Sequence, residues 1–376
     1  MNASSRLRLP AMALALFALL AALWAGWIRL GWPWPVLQPN LPISHGPLMV
    51  SGFLGTLIAV ERAVALRKRW TYIPPLLTGA GGLLLALGMT TILPPLMITL
   101  GSVGLLVVFG VIIHRQPALF TYAMAGGVLA WVVGNLLWLQ GWPIYHIVLW
   151  WAAFLVLTIA GERLELGRLI RQTRRTEELF LAAAALFLAG LVVVLPAIDL
   201  GTRISGAGLL ALSAWLLRYD IARFTIRKKG LPRYAAACLL AGYVWLAFAG
   251  GLALFFGAAP AGARYDALLH AIFLGFVFSM IFGHAPIIFP AVLKLPVTFR
   301  PVFYVHLALL HFSLALRLSG DFLGYFPARL WGGLLNGIAI LLFLATTLYV
   351  SVRSSRQALH NQAESISPSA IPENSH

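Results

Sequence analysis

Twelve apolar stretches, most of them about twenty residues long, fill the chain from residue 10 to residue 352, and this repetition decides what it can fold into. They lie near 10–30, 44–66, 73–94, 95–114, 118–140, 143–165, 178–198, 201–219, 234–257, 266–293, 298–319 and 327–352. At ~1.5 Å rise per residue, a helix of ~20 residues crosses the ~30 Å hydrocarbon core of a bilayer. Backbone polar groups in that core must be satisfied within the segment, and for a single apolar run the helix does this. Turn residues punctuate the runs at Trp32-Pro33-Trp34-Pro35, Pro94-Pro95, Gly141-Trp142-Pro143 and Gly257 to Pro260. The expected fold is all-α: a polytopic membrane protein of about twelve transmembrane helices, with residues 1–353 as one domain. The chain is 61% hydrophobic and 10% charged, against about 25% charged in a soluble domain.

Charge placement orients the chain. The net charge of +16 would suit a nucleic-acid binder if the basic residues shared one face. They instead fall into alternating loops. With a cytoplasmic N-terminus, 22 of the 27 Lys and Arg residues sit in or beside cytoplasmic segments. Arg29, Arg203, Arg264, Arg317 and Arg329 are left outside. This is the positive-inside pattern, so we expect an inner-membrane protein with both termini cytoplasmic, partnered by lipid and not by nucleic acid. The N-terminal run resembles a signal peptide but ends in Trp24, Trp27 and Arg29, so it reads as a retained first helix. Residues 354–376, rich in Ser, Asn, Gln and Pro, are expected to be a disordered cytoplasmic tail. The one cysteine, Cys238, rules out disulfides within the chain, Cys-rich metal sites and iron–sulfur clusters.

Histidine spacing supplies the chemical signal. His45 opens a stretch that ends in Glu61-Arg62, and His146 opens one that ends in Glu162-Arg163. In both, sixteen residues separate His from Glu, ~24 Å along a helix. A degenerate third copy begins at His270 and has His284 and Pro286 near the Glu-Arg position. The three copies recur every four helices, on helices 2, 6 and 10, as three repeated four-helix units would place them. His45, His146 and His270 then form an outer layer, approached by His311. His284 and His306 lie toward the inner side, with the two Glu-Arg pairs. Intramembrane ionisable residues mark functional paths, although single imidazoles also cap helices or join them. The Glu-Arg pairs read first as ion pairs at the headgroup level and second as a proton entrance. Small residues on helix 2 (Gly46, Ser51, Gly52, Gly55) and helix 10 (Ala271, Gly275) suit either a flat cofactor or close helix packing.

The run His45-Gly-Pro-Leu-Met-Val-Ser-Gly-Phe-Leu-Gly-Thr-Leu-Ile-Ala resembles the histidine-bearing early helix of NnrS-like membrane proteins. The run from His270 through Leu-Gly-Phe to Met-Ile-Phe-Gly-His284 is similar to their second histidine motif. Twelve helices with histidines on helices 2, 6 and 10 also resemble the three-arc plan of haem–copper oxidase subunit I. The resemblance implies a haem- and copper-containing protein linked to nitric oxide or related redox metabolism. It makes His45 and His270 haem ligands, and leaves His146, His311, His284 and His306 as candidates for a second metal, copper. The absence of CxxCH points to a non-covalent, b-type haem. Helix 7 has no histidine, and Ile-Val-Leu-Trp follows His146 on helix 6, so an oxygen-reducing binuclear centre is not expected. Enzyme activity, substrate and redox partner stay open. The alternative is a proton-coupled transporter without cofactor, supported by internal repeats and by Gly283, Pro286 and Pro290 interrupting helix 10.

Overall fold

In the computed structural model, residues 3–168, 173–293 and 298–366 are described, and every regular element among them is a helix. We label the main helices α1 (Ala3–Leu30), α2 (Pro42–Leu66), α3 (Ile73–Ala86), α4 (Leu93–Arg115), α5 (Leu119–Leu139) and α6 (Ile144–Gly167). The second half holds α7 (Arg174–Val194), α8 (Ile198–Tyr219), α9 (Leu231–Phe256), α10 (residues 263–293), α11 (Phe303–Leu323) and α12 (Phe326–Ile366). Among the described residues, eleven of these are long and apolar enough to cross a membrane, so the chain is a polytopic helical membrane protein.

The remaining helix of the twelve, α3, is shorter than expected. Helix α3 has 14 residues, ~21 Å of rise, not the twenty-two expected over 73–94. It starts on Ile73-Pro74-Pro75 after a 3-10 turn and stops at Leu87, where Gly88 takes φ +86°. Pro is favourable in a first helical turn, and Gly accepts a positive φ without strain. Hydropathy alone had joined α3 to the turn after it. The short helix is nevertheless well enclosed. A Cβ on Gly82 would lie 2.9 Å from Gly52 Cα, so α2 and α3 meet backbone to backbone. Thr56 and Thr78 bridge the same interface by a 2.9 Å hydrogen bond. At the other end, α12 runs to Ile366, past residue 354 where a tail was expected to begin. Residues 367–376 of that expected tail lie outside the described residues.

Burial ranks the helices. In the most apolar windows of α2, α6 and α10, 61, 78 and 72% of residues are buried, against 39–56% in the other eight spans. The three helices with the histidine pattern are therefore the central ones. Helices α2 and α10 run parallel with matched faces. The His45 and His270 rings are 6.4 Å apart, and eight residues further on the Phe53 and Phe278 rings are 6.1 Å apart. Both helices widen into a π-helix just after the histidine, over Leu48–Gly55 and Ala271–Phe278. Such segments are rare and recur at functional sites. The bundle closes where α12 meets α1, with Gly333 against Leu30 and Gly337 against Trp27.

Candidate functional site

A cavity of about 350 Å³ opens at the histidine end of α2 and α10, within the size range of small-molecule sites. Its walls come from α1, α2, α6, α10, α11 and α12. His45 and His270 face each other across it, their ring planes 21° apart. Each ring is held the same way. His45 Nδ1 lies 2.7 Å from the Ala22 carbonyl oxygen, and His270 Nδ1 lies 2.8 Å from that of Asp266. A carbonyl only accepts, so Nδ1 carries the proton and Nε2 keeps its lone pair. Neither Nε2 has a hydrogen-bond partner among the described residues. This is the support that metal-bound imidazoles require. Gly26 makes room for the arrangement, because a Cβ there would lie 2.8 Å from His45 Cε1.

Cations surround the histidine pair. Arg29, Arg317 and Arg329 line the cavity with Asp266 and Tyr265. Arg317 donates to both oxygens of Asp266 at 2.8 Å, and Arg329 lies 3.7 Å from Asp266 and 3.1 Å from Asp321. Three guanidiniums against two carboxylates leave one positive charge in excess. Arg264, the fourth outer candidate, lies over the Phe256 ring and away from the cavity lining. Most of the small residues serve packing. Gly52 abuts Gly82, Gly55 abuts Trp131, Gly275 abuts Trp245, and Ser51 accepts a hydrogen bond from Trp131 Nε1. Gly46 is the one that lines the cavity.

The remaining histidines are dispersed. His146 packs beside Trp142 and Tyr145 and does not join the His45–His270 pair. His311 uses both nitrogens, accepting from Trp245 Nε1 at 2.9 Å and meeting Ser279 Oγ at 3.3 Å. His306 pairs with the Tyr234 hydroxyl at 3.0 Å inside a cage of Phe282, Phe303 and Phe343. His284 places Nδ1 on the Met280 carbonyl and Nε2 3.3 Å from Arg163. A guanidinium in that position disfavours a metal cation. Among the described residues, no three His, Cys, Asp or Glu side chains form a metal-binding group. The geometry thus suits a group that needs two imidazoles from the protein, as haem iron does, better than copper or zinc held by three or four. A 6.4 Å ring separation leaves room for one atom bonded at ~2 Å to each ring.

The Glu-Arg pairs also differ from their headgroup reading. Arg163 is 3% exposed and binds Asp220, 1% exposed, through two hydrogen bonds of 2.7 and 3.1 Å. Arg62 reaches from α2 to α6 and donates to Glu162, while its contact to the adjacent Glu61 is 3.6 Å. These are ties between helices within the protein. Glu61, Glu162 and His284 line a second cavity of about 100 Å³.

The fold and the paired imidazoles define the class: a polytopic helical membrane protein with a mostly apolar, cation-rimmed cavity between its central helices. The chain belongs to the DUF8744 family, a domain of unknown function, which it matches over residues 8–352. That match takes in both cavities and nearly all of the helical bundle. No curated protein matches the sequence.

Proposed function

We propose that the chain is a haem-binding membrane protein of the NnrS type, acting in nitric oxide or related redox metabolism. The observation that carries this reading is the His45–His270 pair, two parallel helices presenting two imidazoles with Nδ1 anchored and Nε2 free. The cavity between them is mostly apolar, with Leu23, Val50, Phe273 and Phe278 among its walls. Its positive edge suits the carboxylates of a non-covalent haem. Bound there, haem would supply one-electron redox chemistry. The residues of the chain would do the rest. His45 and His270 would hold the iron, and the Ala22 and Asp266 carbonyls fix their tautomers. Arg29 and Arg329 would meet the haem carboxylates, and Arg317 holds Asp266 in place. The central position of α2, α6 and α10 also supports the resemblance to the three-arc plan. A second metal has no comparable set of ligands among the described residues. The Lys/Arg bias supports an inner-membrane location with both termini in the cytoplasm.

The test is purification with haem supplied, followed by absorbance spectroscopy and elemental analysis. One iron per chain and a Soret band are expected. Iron-free, colourless protein would sink the proposal.

A second reading, a proton-coupled transporter without cofactor, is favoured by one observation. The two cavities are stacked along α2, and Leu54 lines both of them. Proteoliposomes that move protons with a solute while containing no haem would favour it.

A further inference from the structure

The second cavity has a feature that neither helix packing nor a haem site explains. Its lining comes from α1, α2, α6 and α10, and it is apolar apart from Glu61, Glu162, His284 and Thr158. Thr158 is 2% exposed, and its hydroxyl has no hydrogen-bond partner. It sits one helical turn above Glu162 and lines the same space. A buried hydroxyl without a partner costs on the order of 1–3 kcal/mol, so a buried, orphaned hydroxyl at a cavity calls for water. A water needs only ~10–15 Å³ of such space, so about 100 Å³ holds several.

The charges at this cavity do not balance. Arg163 is committed to Asp220 through two hydrogen bonds, and its Nη1 also meets His284 Nε2. Arg62 is shared by Glu162, which it binds, and Glu61, 3.6 Å away. Three carboxylates therefore meet two guanidiniums. The other ionisable groups do not change the count: Arg8 of α1 faces Tyr72 and not the two glutamates. Glu165 also faces Arg62, and Arg168 at the same end of α6 lies over the Phe120 ring, so these two cancel. Tyr243 of α9 faces Arg163 and Asp220 as a neutral phenol. His284 of α10 faces Arg163 across 3.3 Å, where a second positive charge would be repelled. One negative charge is left over on two partly exposed carboxylates at an otherwise largely apolar cavity, and a proton is the simplest ion to neutralise it.

We propose that this cavity is a proton-binding site that holds one exchangeable proton on the Glu61–Glu162 carboxyl pair, solvated by water on the Thr158 hydroxyl. Glu61 is the member that carries it, because Glu162 has the direct guanidinium bond. The site exists whether or not haem is bound at the other cavity. It places a proton donor between α2, α6 and α10, below Leu54.

Infrared spectroscopy of the full chain in lipid nanodiscs tests this. Wild type at neutral pH should show a carboxylic C=O band that shifts in D2O. The wild-type-minus-Glu61→Gln difference should contain that band at one acid per chain. Glu162→Gln should also abolish it, because removing one negative charge lets Glu61 ionise against Arg62. A purely structural ion pair would not give this second loss. A wild-type spectrum without the band, or a band retained in both variants, would overturn the proposal. Thr158→Val supplies a further arm: it should keep the band and slow its shift in D2O. Exchange at the wild-type rate would remove the water from the account.

Discussion

At the residue scale, the atom that matters in each paired histidine is Nδ1. Its proton is tied to a backbone carbonyl, Ala22 for His45 and Asp266 for His270. Sequence shows the histidines but not this support. Ala22 lies on another helix, and a carbonyl leaves no trace in residue identity. Asp266 left a weak signal, four residues before His270 in Arg264-Tyr265-Asp266-Ala267-Leu268-Leu269-His270, the i,i+4 spacing of one helix face. Asp220 left none, since its partner Arg163 is 57 residues away on another helix. This is why Glu162-Arg163 read as a headgroup pair when Arg163 is in fact buried. The consequence is measurable. Removing one partner of a buried ion pair costs ~3–5 kcal/mol, whereas replacing both by apolar residues costs less. Asp220→Ala and Arg163→Ala should each lower the thermal midpoint in detergent clearly more than Arg163→Met/Asp220→Leu. Equal losses from the singles and the double would show that the pair does not act as a unit.

At the scale of elements, hydropathy located eleven spans because each is a long apolar run with polar ends. It overran α3 because the turn after Ala86 is itself apolar, with Leu87, Met89 and Ile92 exposed there. The π-helical segments were not legible, since widening a helix by one residue per turn leaves composition unchanged. They begin three residues after His45 and one after His270, on the two helices that carry the pair. Glycine placement gives two checks. Gly55→Ala would put a Cβ 2.5 Å from the Trp131 ring, an overpacking that should cost ~1–3 kcal/mol of stability. Gly26→Ala would press on the His45 ring while leaving the ligand in place. We expect haem content to fall by at least half in Gly26→Ala, with the thermal midpoint within a few degrees of wild type. Full haem content in that variant would mean that His45 is free to move and is not held against α1.

At the scale of the whole molecule, a repeat of four helices puts α2, α6 and α10 at the centre, and α12 closes the bundle onto α1. Sequence reading found α2 and α6 by their His-to-Glu spacing and α10 as a degenerate copy that begins at His270 and has His284 near the Glu-Arg position. It could not find which ends meet. Two of the three outer histidines converge, and the third, His146, lies against Trp142 and Tyr145. Orientation is a further whole-molecule prediction. Cys238 is fully buried, so introduced cysteines can be read without background. An impermeant maleimide should label Thr91→Cys from the outer side of the membrane and leave Arg175→Cys unlabelled until the membrane is opened. The reverse pattern would invert the topology and with it the side on which the histidine cavity opens.

The central claim is that α2 and α10 hold one haem between His45 and His270. Its most direct test is the low-temperature electron paramagnetic resonance spectrum of the oxidised, haem-loaded protein, wild type beside His45→Ala and His270→Ala. The account predicts a low-spin, bis-imidazole signal in wild type. Each single substitution should convert it to high spin or remove it together with the haem. A low-spin signal that survives unchanged in both variants would contradict the assignment.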